Sequence, residues 1–146
     1  SFSAKAQFMP NKAERDTNKA KAKYEKLKTD CYDCEQKVIN DSIYGAPYKK
    51  LQADVKMYED SVKFFNTKYD EALKILADEI ARNPYNTADE RKAYKNRRTE
   101  IEKRRQAEID AMQNKLKASY EKLAREQKTY YGLMVNRKIE NSINTK

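Results

Sequence analysis

The longest regular pattern in the chain covers residues 48–80 and reads YKKLQADVKMYEDSVKFFNTKYDEALKILADEI. Apolar or aromatic side chains recur there in alternating steps of three and four, at Tyr48, Leu51, Val55, Tyr58, Val62, Phe65, Tyr69, Ala72 and Leu76. A helix has 3.6 residues per turn, so positions at this spacing fall on one side of it, and a mean spacing of 3.5 is typical of coiled coils. The pattern predicts a long amphipathic helix that packs against partner helices.

The composition favours an elongated helical protein. Of the 146 residues, 38% are charged and 38% are hydrophobic, whereas average domains hold about 25% charged residues. A compact globule would need a thicker core than these residues provide. Two glycines and three prolines are also too few for the turns of a sheet protein. The chain is therefore expected to be all-α, with narrow apolar seams.

A second seam precedes the first and predicts a helix over residues 11–44. Its members are Ala13, Thr17, Ala20, Tyr24, Leu27, Cys31, Cys34 and Val38. Asn11 is the expected N-cap, with Glu14 three residues later in the capping-box position. Gly45 suits a left-handed position after the helix, and Pro47 suits the first turn of the next one. So short a connection predicts two antiparallel helices.

The third helix is expected over residues 87–131. It follows the breaker NPYN at residues 83–86 and opens on Thr87 and Glu90, a capping-box pair. Its stripe has steps of three, four and four, at Ile109, Met112, Leu116, Tyr120, Leu123, Gln127, Tyr131 and Met134. An eleven-residue repeat of this kind runs nearly straight along a helix. Gly132 either ends the helix or lies within a helical tail.

Together these patterns predict an all-α, elongated three-helix up-down-up coiled-coil-like bundle with a longer third helix and irregular terminal arms. The helices are expected at residues 11–44, 47–82 and 87–131. Residues 1–10 form the N-terminal arm and residues 132–146 the C-terminal tail. The apolar side chains of both arms are candidates for anchoring a partner, and they are Phe2, Phe8, Leu133, Val135, Ile139 and Ile143.

Cys31 and Cys34 form a single C-x-x-C motif. A structural zinc site usually needs four cysteine or histidine ligands, and the chain has two cysteines and no histidine. A redox dithiol would be expected in a βαβ context, which is missing here. We therefore expect two packing thiols and no cofactor or metal, in an intracellular reducing compartment or inside an assembled particle. A redox site or a metal site shared between chains is the alternative.

The net charge of +9 is unevenly distributed. Residues 91–105 contain eight bases and two acids, whereas residues 51–80 contain seven acids and four lysines. Such a basic cluster either contacts phosphates or complements the acids of the preceding helix. The candidate polyanion contacts are Arg91, Lys95, Arg97, Arg98, Arg104 and Arg105.

No catalytic constellation is visible in the sequence. Without histidine, a serine or cysteine nucleophile has no imidazole base, and two isolated glycines cannot build a phosphate-binding loop. We expect a non-enzymatic structural or assembly component with protein partners or further copies of itself. The alternative is a basic helical protein that contacts nucleic acid non-specifically, as in a virion or ribonucleoprotein particle.

Overall fold

The structure, a computed structural model, describes residues 10–144, except for the side chains of Met134 and Val135. Over the described residues, four helices follow one another, and their bounds are α1 (Lys12–Asp30), α2 (Cys34–Asn40), α3 (Gly45–Ala81) and α4 (Ala88–Asn144). The described residues contain no strand. The all-α expectation is therefore confirmed. None of the described helices is long and apolar enough to cross a membrane.

Helix α4 packs against each of the other three helices. It runs in the same direction as α1, because successive residues of the two helices meet in the same order. The Thr17 hydroxyl lies 2.9 Å from the Gln113 carbonyl oxygen, and the rings of Tyr24 and Tyr120 lie 5.8 Å apart. Thr17 is almost fully buried, so the small residues of the α1 seam allow a close approach to α4.

Helix α3 runs antiparallel to α4. Near its start, the Tyr48 hydroxyl accepts a hydrogen bond of 2.8 Å from Gln127. Two-thirds of the way along, the Tyr69 hydroxyl donates to Glu108 at 2.6 Å. These two contacts, at separate levels of the pairing, fix the antiparallel direction of α3.

The first predicted helix is divided in two, so the bundle has four helices where three were expected. Residues 31–33 are not helical, and α2 ends at Asn40. The predicted seam nevertheless holds across the break, because each of its eight members is buried or half-buried. The N-cap is also confirmed, since the Asn11 side chain accepts a hydrogen bond of 3.0 Å from the Glu14 amide.

The seam of residues 48–76 is confirmed along its whole length, since each of its nine members is buried or half-buried. The stripe on α4 is confirmed only in part. Leu116, Tyr120 and Leu123 are buried, but Tyr131 is exposed and Tyr130 is buried in its place. The α4 pattern shifts because this helix is contacted by α1 as well as by α3, which calls for a wider apolar surface than one seam.

Gly45 is required for a reason other than the one expected. It begins α3, and no glycine in the described residues has a positive φ. A Cβ atom at this position would lie 2.4 Å from the Ile39 carbonyl oxygen. The absence of a side chain thus lets the start of α3 pass directly over the end of α2. Pro47 occupies the first turn of α3, as expected.

Two segments of the bundle differ in how many helices pack together. The side-chain amide of Asn11 donates to the Asp110 carboxylate at 2.9 Å, and this contact marks the level on α4 where α1 begins. We call residues 11–65 with 110–130 the closed segment, because all four helices contribute to it. Residues 66–81 with 88–109 form the paired segment, where α3 and α4 are the only described helices.

Helix α4 continues beyond the closed segment, so the helical tail, and not an end at residue 131, is the alternative that the structure shows. It passes through Gly132 without a break and reaches Asn144. At 1.5 Å per residue its 57 residues measure about 85 Å. We call residues 131–144 the C-terminal arm. The predicted anchors Phe2 and Phe8 lie outside the described residues.

Candidate functional sites

Glu35, at the second position of α2, collects hydrogen bonds in the interior of the closed segment. Its Oε2 atom accepts from the Tyr24 hydroxyl at 2.6 Å and from the Tyr48 hydroxyl at 3.1 Å. Tyr24 and Tyr48 are 6% and 1% exposed. A carboxylate that accepts two buried hydroxyls satisfies groups that would otherwise lose their hydrogen bonds to water on folding.

Two amides complete this arrangement, which we call the Glu35 cluster. Gln127 lies 3.3 Å from Glu35 Oε2 through its Nε2 atom, and Gln52 donates to Oε1 at 3.3 Å. The Lys28 ammonium is 3.8 Å from Oε2. Because these residues come from α1, α3 and α4, the cluster links α2 to every other helix of the bundle.

Burial fixes the protonation of the two tyrosines in the cluster. It raises the pKa of Tyr48 to about 12, and the nearby Glu35 carboxylate acts in the same direction. Burial, followed by the hydrogen bond to Glu35, also raises the pKa of Tyr24 well above its usual value. At neutral pH both hydroxyls therefore keep their protons and act as hydrogen-bond donors.

Cys31 and Cys34 are joined by a disulfide, with their Cα atoms 5.3 Å apart. The expectation of two free thiols is therefore wrong. Cys31 is the C-cap of α1 and Cys34 begins α2, so the disulfide spans the helix break. Cys34 is 2% exposed, which agrees with its expected packing role. Within the part of the chain that is described, no group of three or more histidine, cysteine or acidic side chains is arranged to hold a metal ion.

A groove of about 390 Å³ lies beside the disulfide, between α1, the start of α2 and α4. Its lining is mostly apolar but includes two charged residues, and consists of Leu27, Asp30, Cys31, Cys34, Gln127, Lys128 and Tyr131. We call it the disulfide groove. Since Gln127 lies both in this groove and in the Glu35 cluster, the two features are adjacent.

Part of the predicted basic cluster is paired with acids of α3. Arg97 contacts Glu79 at 3.0 Å. Arg105 contacts Asp70 at 2.6 Å and also donates to Asn66 at 2.9 Å. These two arginines therefore hold α3 and α4 together in the paired segment. This is the charge complementarity between the basic cluster and the acids of the preceding helix, one of the two alternatives stated for that cluster.

The other candidates of the basic cluster differ in their surroundings. Arg104 pairs with Glu100 on its own helix at 3.2 Å, and Arg91 donates to the Asn86 carbonyl oxygen at 2.8 Å. Lys95 and Arg98 are exposed and make no ion pair with any described residue. The cluster is thus divided between internal contacts and two bases that are available to a ligand.

The C-terminal arm carries the candidate anchors that the structure describes. Leu133 is half-buried, whereas Ile139 and Ile143 are 53% and 66% exposed. The side chain of Val135 is among those not described. Ile139 and Ile143 are four residues apart on one helix and therefore share a face.

Glu35, Gln52 and Gln127 were not predicted as functional residues. Gln127 was visible as a polar residue within an apolar stripe, and that interruption was the available signal. Glu35 and Gln52 lie outside the seams, so the spacing gave no reason to place them in the interior. No family model, characterised protein or solved structure was found to match this chain.

Proposed function

We propose that this protein is a non-catalytic structural component of a larger assembly, and that it binds its neighbours through helix faces and its C-terminal arm. The observation that carries the proposal is the exposure of that arm. Residues 136–144 form an exposed helix beyond the closed segment. Most helical stability in proteins comes from tertiary packing, which this exposed end of α4 lacks, so packing against a partner would stabilise it.

Exposed apolar side chains on α3 give independent support. Met57, Phe64 and Ile75 are 52%, 63% and 64% exposed. They lie at intervals of seven and eleven residues, which places them along one stripe of the helix. Met57 and Phe64 line one surface pocket together with Phe65, and exposed apolar surface of this kind is found at protein interaction sites.

We propose a non-catalytic role because the chemically distinctive groups already have structural partners. The buried hydroxyls of Tyr24 and Tyr48 donate to Glu35, and the cysteines are joined to each other. These interactions connect helices.

The native particle mass tests the proposal. The protein is purified under mild conditions from its source and analysed by native mass spectrometry. We expect a complex far heavier than the 17.2 kDa chain, and a particle of one chain would contradict the proposal. Ile139→Ser with Ile143→Ser should reduce the native complex. Lys138→Ser with Glu140→Ser is the matched control, because it alters the same arm without changing net charge or the apolar face.

A second candidate function is non-specific binding to nucleic acid through the basic cluster. It is favoured by the exposed, unpaired Lys95 and Arg98. Replacing both with Gln should weaken oligonucleotide binding and reduce the slope of log affinity against log salt by a little under one per lost phosphate contact. Arg97→Gln is the control, since Arg97 is paired with Glu79. Equal oligonucleotide binding by the wild type, the double variant and Arg97→Gln would contradict this candidate.

The compartment also becomes a question for experiment. A disulfide is typical of oxidising environments, so the cysteines give no support for a reducing compartment. Thiol trapping followed by mass spectrometry of the native protein distinguishes the two states. Alkylation of both cysteines without prior reduction would indicate a reducing compartment, and protection of both would indicate an oxidising one.

A further inference from the structure

A basic groove lies between the parallel helices α1 and α4. It has a volume of about 560 Å³ and no residue of α3 lines it. Its lining contains five bases and two acids, with alanines between them, and consists of Asp16, Lys19, Ala20, Lys23, Lys117, Glu121, Ala124, Arg125 and Lys128. We call it the basic groove.

Most of the bases in this groove lack an anionic partner. Lys117 pairs with Glu121 on its own helix at 3.6 Å. Lys19, Lys23, Arg125 and Lys128 make no ion pair with any described residue, and all four are exposed. The groove therefore presents several cations to whatever occupies it.

The basic groove continues into the disulfide groove, because Lys128 lines both. The surface thus changes along α1 from cationic near Lys19 to apolar near Leu27. From Asp16 to Cys31 it is about 22 Å long at 1.5 Å per residue. That length fits four turns of a docked helix whose acidic residues face the lysines and whose apolar residues face the disulfide groove.

The outer face of α3 has the complementary order. Glu71 and Asp78 are exposed and make no ion pair with any described residue, whereas their neighbours Asp70 and Glu79 pair with arginines of α4. These four acids of α3 thus separate into two that pair with α4, Asp70 and Glu79, and two that are unpaired, Glu71 and Asp78.

Apolar residues extend the same outer face towards the start of α3. Phe64 stands seven residues before Glu71, and Met57 seven residues before Phe64, so all three share the stripe that Ile75 continues. Lys68 is also near this stripe, with its ammonium over the rings of Phe65 and Tyr69 at 5.9 and 5.2 Å. We call Met57, Asp60, Phe64, Glu71, Ile75 and Asp78 the α3 stripe.

We propose that a second copy of this chain places its α3 stripe in the basic groove, with Glu71 and Asp78 against Lys19 and Lys23 and Phe64 in the disulfide groove. This inference rests on the proposed function and names a partner for it. The docked helix would run antiparallel to α1, as the chain's own α3 does. The two acids are opposite in charge to the two lysines, and Phe64 meets the mostly apolar lining of the disulfide groove.

The contact joins two different surfaces, so each copy keeps a free groove or a free stripe, and association continues head to tail. In its own bundle, Tyr48 lies at the level of Gln127. In the docked copy, Phe64 would occupy that level. Sixteen residues of helix correspond to a stagger of about 24 Å between successive copies.

Complementation between two variants tests the proposal, with sedimentation equilibrium at low ionic strength as the measurement. One variant carries Lys19→Glu and Lys23→Glu in the groove, and the other carries Phe64→Ser in the stripe. We expect wild-type mass to rise with concentration and each variant to stay at one chain. An equimolar mixture should form dimers and no larger species, because one intact stripe meets one intact groove.

Matched controls separate this contact from general charge effects. Lys92→Glu with Lys103→Glu makes the same charge change on the exposed surface of α4 and should associate like wild type. In wild-type protein, a zero-length carbodiimide cross-linker applied to mixed ¹⁴N and ¹⁵N chains should join Lys19 or Lys23 to Glu71 or Asp78 between copies.

Three results would overturn the proposal: a wild-type chain that stays monomeric, a mixture that fails to dimerise, or inter-copy cross-links confined to other residues. A monomeric chain inside a large native complex would refute this inference alone. A native particle of one chain would refute the proposed function as well.

Discussion

The closed and paired segments are built from the same two long helices, yet different interactions hold them. In the closed segment the interior contains a buried core around Val38, Tyr48, Leu116 and Leu123 and the Glu35 cluster. In the paired segment only Tyr69 and Leu76 are buried among the described residues, and cross-helix contacts such as that of Arg105 with Asp70 lie at the surface. Two helices alone cannot enclose a polar group, whereas four can.

The two segments differ in where their charged residues lie and in what satisfies them. Where several helices meet, a carboxylate can be partly buried because hydroxyls and amides from all sides satisfy it. Where two helices meet, charges remain near water and each pair contributes little. We therefore expect the closed segment to have most of the stability and the paired segment to open more readily.

The largest expected effect is that of truncating a core leucine in the closed segment. Leu123→Ala should lower the free energy of unfolding by about 3–5 kcal/mol, because surrounding helices prevent the cavity from collapsing. Leu76→Ala, at an equally buried position of the paired segment, should cost about 2–3 kcal/mol, since two helices can move together. Urea unfolding measures both, and equal losses would remove the distinction between segments.

Removal of the Glu35 carboxylate should have the next largest effect. Glu35→Ala leaves the hydroxyls of Tyr24 and Tyr48 without their acceptor and should cost about 2–3 kcal/mol. Glu35→Gln retains one acceptor oxygen and should cost less. Hydrogen exchange should locate the loss in α2 and the start of α3. A change confined to the paired segment would contradict the assignment.

High pH should destabilise the closed segment through Tyr48. A phenol whose pKa is raised by folding stabilises the folded state below the pKa of unfolded tyrosine, about 10. That stabilisation is lost as the pH rises from about 10 through the folded value of about 12 for Tyr48. Stability should therefore fall over this range, with less dependence on pH in Tyr48→Phe. Thermal unfolding between pH 8 and 12 makes the measurement.

The smallest effect is expected for the ion pairs of the paired segment. The Asp70 side chain is 64% exposed, so a double-mutant cycle of Arg105→Gln and Asp70→Asn should give about 0.2–1 kcal/mol. Added salt should reduce this coupling. Lys56 and Asp60, an exposed pair on one helix at 3.9 Å, provide the control. A coupling well above 1 kcal/mol would mean that the paired segment is held mainly by charge.

The regular spacing of apolar residues was sufficient to predict the seams of residues 13–38 and 48–76, composition was sufficient for the all-α class, and the capping-box pairs predicted the caps at Asn11 and Thr87. The Thr87 hydroxyl accepts from the Glu90 amide at 3.2 Å, and Glu90 accepts from the Thr87 amide at 3.3 Å. Spacing was insufficient at residues 31–33, because the seam continues across a break that contains neither glycine nor proline. The disulfide there depends on two side chains meeting in space, which periodicity does not encode.

The sites were harder to predict than the helices. Glu35 has its role because of residues up to 92 positions away in sequence, such as Gln127. The basic cluster was recognised by composition, but composition does not distinguish Arg97, which faces an acid of α3, from Arg98, which does not. Such distinctions depend on the rotation of one helix against another. The side chains of successive residues in an α-helix point in directions that differ by 100°.

Because α4 is unbroken, both the distance and the rotation between any two of its residues are fixed. A Cβ atom built at Gly132 meets nothing within 4 Å, so this position of the helix has free space for a side chain. Four extra residues there would move Ile143 outward by about 6 Å and turn it by about 40° relative to the basic groove, whereas eleven would add about 16 Å with a turn of only about 20°. A partner that binds both the C-terminal arm and the bundle must therefore be sensitive to the direction in which Ile143 points as well as to its distance from the bundle.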